Sequence, residues 1–308
     1  IKKIEEEKTT IALKNSPRIE IGLHCNKPYP CDFIGHCWKN VPANSVFGLS
    51  TFYDEEKFGF YNQGILTPDD FNEELLAGFD HRKRIEIKAI KENKPFFDKE
   101  KLAGLIENVT EKSGFFWFLG QRPAIPAFEK HRPYDVVPVG AGFQLIENGT
   151  PKRAFWFNEN PGENPDEKFF DFIEKQVFSL DKLLVYEAES FIGYLRRFTE
   201  RKPEMAAQVE TIISKISDFS DVFSEMYFFH PALKGNFDLA NVAEKLLHPD
   251  FPNASTIKSE VLVTNNYLKY QASTNDFEKT TLADSILDFG RFHLDCLEGF
   301  YGFLSKNL

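Results

Sequence analysis

Three cysteines, Cys25, Cys31 and Cys37, stand at equal intervals in the run HCNKPYPCDFIGHCW, and His24 and His36 each adjoin one of them. Thiolates packed this densely are commonly held by a metal, which neutralises their charge and orders a loop with little else to pack. Three Cys plus His24 or His36 would suit zinc, whereas an iron–sulfur cluster wants four Cys. The competing reading makes them inert thiols used as small packing groups, because no fourth ligand is evident. Ile1 is not an initiator residue, so the numbering begins inside a longer polypeptide or after processing, and a fourth Cys could precede it.

A second stretch raises the opposite question. FFWFLGQRPAIP, Phe115 to Pro126, is a short aromatic run bounded by Gly and Pro, the pattern of a strand buried on both faces in the middle of a sheet. In α/β folds the carboxyl end of such a strand is where sites are built. Here that end delivers Trp117 and Leu119, not acids. Other templates give less. Gly140 and Gly142 are isolated glycines inside strand-like sequence, no G-x-S-x-G occurs, and His230, His248 and His293 are scattered in the manner of hydrogen-bonded structural histidines.

The elements that must position these residues follow from composition and period. The 308 residues include 33 Phe and are 42% hydrophobic, enough for one large domain or two ordinary ones. No apolar run approaches the roughly 20 residues of a membrane helix. A formal charge of -10 argues against tight non-specific binding to nucleic acid, which needs clustered Lys and Arg. Four Cys do not make a disulfide framework in a chain this long, so a reducing, cytoplasmic setting is expected, and the triplets at Asn108, Asn148 and Asn253 carry little weight as glycosylation sites.

Residues 1 to about 66 alternate strand-like runs (TTIALK, RIEIGLH, SVFGLSTFY) with turns, and TPDDFNEELLAGF carries an N-cap Thr and a first-turn Pro. KENKPFF reads as a linker, giving a module over 1–95 and a second domain over 96–308. In the latter, DKEKLAGLIENV is helical, YDVVPVGAGFQLIENGTPKRAFWFN is a hairpin turning at Asn148-Gly149, NPDEKFFDFIEKQVF is helical, and KLLVY is a buried strand. ESFIGYLRRFTE and PEMAAQVETIISKISDF return to helix. The closing segment places Leu282, Ile286, Phe289, Phe292, Cys296, Phe300 and Phe303 on one face of a long amphipathic helix bordered by Asp295.

The runs IGLHCNKPYPCDFIGHCW, AIPAFEKHRPYDVVP, MYFFHPALKGNFDL and HLDC, in that order, resemble a bacterial family labelled only as a domain of unknown function. Its members are similar to an iron–sulfur, CRISPR-adaptation-type PD-(D/E)xK nuclease fused to a DnaQ-like exonuclease of ribonuclease H fold. The resemblance covers the end of the first half and the whole second half. It implies two carboxylates on the strand before AIP, where this chain has Trp117 and Leu119, with Gly120 in place of a Thr. It implies a third acid where Phe191 stands, after Tyr186, Glu187 and Ser190. Asp218 and Asp295 keep the family's remaining acids, Arg291 replaces a Tyr, and Gly235-Asn-Phe-Asp replaces a Gly-Ser-x-Ser-like run.

Two-metal phosphodiester hydrolysis requires several carboxylates converging on cations about 3.5–4 Å apart. Asp218 and Asp295 alone do not suffice; Glu187 and Glu189 could substitute, or could simply be a solvated helix start where acids suit the dipole. The expected fold is therefore α/β: a ribonuclease H-like mixed sheet with flanking helices, preceded by a small cysteine-bearing α+β module. The expected function is a degenerate nuclease-fold protein that binds or scaffolds in nucleic-acid processing or defence, with nucleic acid or a protein as partner and no membrane. The alternatives are an active 3'-5' exonuclease using Mg or Mn through non-standard acids, and a metal-bearing cysteine module with a redox or nucleic-acid-contacting role.

Overall fold

Apolar runs that leave no polar face cannot lie half in water, so the elements carrying them must be covered on both sides. The computed structural model describes residues 2–15, 17, 19–146, 152–247 and 259–308. It divides into two compact units, Ile1–Lys94 and Pro95–Leu308.

The first unit corrects the expectation of an α+β module. Among its described residues there is no strand: Lys2–Ile11, Asp54–Asn62 and His81–Glu92 are helices, and Leu23–Cys25, Ile34–Cys37 and Val46–Gly48 are single helical turns. The aromatic residues that read as strand formers instead serve as knobs between these turns. Phe52, Phe60, Phe71 and Phe79 stack edge-on in one cluster around Val46, Leu49 and Ile87. TPDDF is likewise divided. Thr67 caps only the turn Pro68–Asp70, and Asn72 caps a fresh helix, Glu73–Ala77. Glu86, fully buried, is satisfied by the backbone N–H and hydroxyl groups of Ser50 (both 2.6 Å) and of Thr51 (2.9 and 2.5 Å).

In the second unit the main sheet has strands β1 (Ser113–Gln121), β2 (Val137–Leu145), β3 (Arg153–Phe157), β4 (Lys182–Val185) and β5 (Ile216–Asp218). Its helices of at least eight residues are α1 (Lys99–Ile106), α2 (Asp166–Val177), α3 (Glu189–Arg201), α4 (Ala206–Ile213), α5 (Glu260–Ala272) and α6 (Asp276–Lys306). The strand order is β3-β2-β1-β4-β5, so the aromatic run is the central strand. β1, β2 and β3 are antiparallel neighbours, and β4 and β5 run parallel to β1. The Asn148-Gly149 turn of the hairpin lies outside the described residues. β5 corrects the helix expected through ISDF: three residues suffice because Leu183, Leu184 and Val185 offer a buried parallel edge.

Alternation along β1 builds two cores. Phe115, Trp117 and Leu119 face α5 and α6, whereas Phe116 and Phe118 meet Phe169, Phe191 and Tyr194 of α2 and α3. The face of α6 read from the sequence is the one that packs, with Ile286, Phe289, Phe292, Cys296 and Phe300 buried. Close approach of α6 to β1 depends on Gly290, where a Cβ would come within 2.4 Å of the Trp117 ring. The β1–β2 loop is pinned by buried charges. Asp166 accepts from Arg201 Nε (2.9 Å) and Nη2 (3.2 Å) and lies 3.3 Å from His131 Nε2, and Asp135 adds ion pairs to Arg197 and Arg201. Burial opposes ionisation of Asp166, but the hydrogen bonds of His131 and Arg201 prevail and hold its carboxyl below the usual range. Among the described residues no helix is long and apolar enough to cross a membrane.

Candidate functional site

The parallel strands β1, β4 and β5 end side by side, and their carboxyl ends open onto a hollow of about 480 Å³. Gly120 is near the end of β1 and Arg122 follows it, Tyr186 and Glu187 lie in the β4–α3 turn, Glu189 to Phe191 open α3, Asp218 ends β5 with Ser220 just beyond, and Glu260 and His293 enter from α5 and α6. A second hollow, about 260 Å³, shares Glu187, Glu260 and His293 and adds Asp238. This is the position where a site is expected in such a sheet.

Two residues of β1, Phe118 and Gly120, line it, but the two at positions where acids are implied do not. Trp117 and Leu119 are 1% and 3% exposed, within the core under α6. Phe191, 1% exposed, faces the opposite core against Phe116, with ring centroids 4.7 Å apart. All three positions at which the family resemblance implies acids are therefore packing positions.

Asp218 does face the cleft, but its carboxylate is consumed. Oδ1 accepts from the backbone N–H of Glu187 (3.0 Å), the N–H of Ser220 (3.0 Å) and the Ser220 hydroxyl (2.6 Å), and Oδ2 accepts from Ala188 N–H (2.7 Å). Four donors on two oxygens make Asp218 the staple joining the β4–α3 turn to the end of β5. Asp295 is elsewhere. It pairs with Arg153 at the start of β3, and Arg153 Nε donates to Gln144 Oε1 (2.7 Å) in the register row of Phe115. Arg153 lies on β3, at the opposite edge of the sheet from the β5 that carries Asp218, and Asp295 does not line the cleft, so Asp218 and Asp295 are not brought together.

The cleft acids come instead from three separate segments. Glu187 sits in the left-handed region (φ 56°), presented by the turn that Asp218 staples. Asp238 is positioned by Tyr186, whose hydroxyl donates to the Phe237 carbonyl, and by Asn236, whose Oδ1 accepts from Asp238 N–H at 2.9 Å. Partial burial of the carboxyl, then Asp238 and Asp218, push Glu187 up, although the residue as a whole is exposed. Recession of the Glu260 carboxyl between the walls, then Glu187 and Asp238, push that group up too, although the residue as a whole is exposed. Burial pushes His293 down to about 4, which leaves its imidazole neutral at neutral pH. Across the cleft, Arg122 Nη2 donates to Ser190 Oγ at 3.3 Å. Carboxylates so placed can share a proton or attract a cationic group. Glu189 lines the same hollow and is exposed.

These residues do not fit a resident metal pair. Among the described residues no three His, Cys, Asp or Glu side chains are grouped to hold an ion. The same holds in the first unit, where Cys25 is buried, Cys31 and Cys37 are exposed, and His24 and His36 are exposed beside them. Of the remaining histidines, His230 accepts from Ala232 N–H through Nδ1 (3.1 Å) as a helical-turn cap, and His248 lies outside the described residues.

A family model spans this cleft. Residues 115–238 match a domain of unknown function, DUF2779. The DUF2779 segment runs from β1 to Asp238 and so includes Trp117, Leu119, Glu187, Phe191 and Asp218, whereas Glu260, His293 and Asp295 follow it. No curated protein and no solved structure matches the chain.

Glu187, Asp238 and Glu260 were not singled out together by the sequence, because residues from three distant segments share no spacing. The one local signal is LKGNFD, where Gly235 (φ 73°) turns the chain so that Asp238 returns to the cleft.

Proposed function

We propose that the second unit is a nuclease-like scaffold whose catalytic centre has been lost, and that it serves as a binding or scaffolding component in nucleic-acid processing or defence. The observation that carries this reading is the burial of Trp117 and Leu119 at the end of the central strand, where acids would otherwise meet the cleft. Asp218, saturated by four donors, and Asp295, locked to Arg153, support it: neither has a free carboxylate aimed at a shared cation. The mixed sheet, three antiparallel strands followed by two parallel ones, is compatible with a ribonuclease H-like fold. The net charge of -10 and the acidic cleft direct any nucleic-acid contact away from this hollow or to a protein partner.

The test is incubation of the purified chain with labelled single- and double-stranded DNA and RNA in Mg²⁺ or Mn²⁺. The result expected is no cleavage above a variant lacking both Asp218 and Asp295. Metal-dependent cleavage abolished by Asp295→Asn in a folded variant would overturn the scaffold reading. The convergence of Glu187, Asp238 and Glu260 favours a second reading, a 3'-5' exonuclease with non-standard acids. That reading requires cleavage lost in Glu187→Gln and in Glu260→Gln. A zinc ion or iron–sulfur cluster in the cysteine segment is a separate proposal, checked by elemental analysis of anaerobically purified protein, in which absence of both metals would refute it.

A further inference from the structure

At the opposite side of the sheet from Asp218, β3 is an edge strand whose neighbour on one side is β2 and which pairs with nothing on the other among the described residues. Asn158 N–H, just past β3, donates to Val139 O at 2.9 Å, so that N–H faces β2, while the Asn158 carbonyl accepts from the Tyr267 hydroxyl of α5 at 3.4 Å. Backbone groups alternate direction in an antiparallel strand, so the N–H and C=O of Phe157 and Phe155 face the free edge. A cavity of about 300 Å³ runs along it, walled on the far side by Glu163, Asn164 and Lys168.

Asn158 lines this cavity and is 5% exposed, yet its Nδ2 has no hydrogen-bond partner. A buried donor left unpaired costs free energy that an acceptor in the cavity would restore. The outward main-chain groups of β3 make a parallel demand, because a bare strand edge is a template for another strand. Both demands are met by the same chemistry, a peptide main chain.

We infer that this groove binds an extended peptide segment of a partner protein, which adds beside β3 as a further strand and presents a Lys or Arg to Glu159. Charge selects the occupant. Lys168 is committed to Glu163 at 2.8 Å, which leaves Glu159, exposed at the rim, without an ion-pair partner among the described residues. Among the described residues that line the groove, a phosphate backbone finds no unpaired cation, and a basic peptide finds Glu159. Two walls admit a lone strand more readily than a second sheet edge carrying its own loop wall. The inference concerns a different face from the cleft and stands independently of the scaffold reading.

The test is selection of a phage-displayed library of random nine-residue peptides on the full chain, followed by titration of the enriched peptides as synthetic compounds. Enriched peptides are expected to carry a Lys or Arg in a β-branched context. Their affinity should fall about tenfold or more against Glu159→Lys, and similarly when alternate peptide amides are N-methylated. Asn158→Leu, nearly isosteric, should weaken them as well; if that variant fails to fold, the rim substitution and the methylated peptides still decide. Failure to enrich any peptide, or binding indifferent to both Glu159→Lys and N-methylation, would overturn the inference. So would dimerisation of the chain through β3 that excludes the enriched peptides.

Discussion

Within the cleft, His293 and the acids around it titrate in opposing senses, and the pH dependence of stability separates them. His293 is held near 4 when folded against an ordinary value of 6.5. Between those values the unfolded chain takes up a proton that the folded chain refuses, so the His293 contribution to stability falls as pH drops from about 6.5 to about 4. Glu187 and Glu260 are raised, so the folded state binds their protons first and their contributions improve as pH falls through their folded-state values. Subtracting the unfolding free energy of His293→Gln from that of the parent at each pH isolates the histidine. The difference should narrow as pH falls through that window, and a flat difference would refute a neutral, desolvated His293. Trp117 and Leu119 were legible as core from their place in an unbroken apolar run. The saturation of Asp218 was not, since Glu187 and Ala188 are brought to it only by the parallel pairing of β4 with β5, and only Ser220 is a local partner.

The contact between β1 and α6 turns on one missing methyl group. Gly290→Ala would press a Cβ into the Trp117 ring and should destabilise the protein by roughly 1–3 kcal/mol, as overpacking in a full core does. Trp117→Leu alone leaves a void, but combined with Gly290→Ala it should cost less than the sum of the two, a coupling that chemical denaturation of the four variants would reveal. Five residues further along the same helix, Asp295 holds Arg153 of β3. Asp295→Asn should lower stability by about 1.5–3 kcal/mol, the range for a hydrogen bond to a charged group, and should leave any binding at the cleft unchanged. A loss of cleft function without loss of stability would instead place Asp295 in the site. The long helix and the hairpin strands were readable from period, because a 31-residue amphipathic stripe and alternating apolar runs have few other solutions. β5 was not, because three residues at the end of a helical pattern carry no period of their own. The first unit misled for a related reason: short aromatic runs look like strands, although here they fill the gaps between helical turns.

Across the whole second unit, one aromatic side chain bears most directly on the proposed scaffold reading. Trp117 stands on the central strand, packs against Gly290 and Phe289 of α6, and occupies a position where the family resemblance implies a carboxylate. Its indole Nε1 is buried without a hydrogen-bond partner, a cost tolerated where the rest of the ring is fully packed. If that end of β1 has become core, the residue carries stability for the entire unit; if it still lines a working site, the side chain can be removed cheaply. The deciding measurement is the unfolding free energy of Trp117→Ala by chemical denaturation. The account predicts a loss of about 3–5 kcal/mol, as for large aromatic truncations in packed interiors, and a loss below about 1 kcal/mol would contradict it.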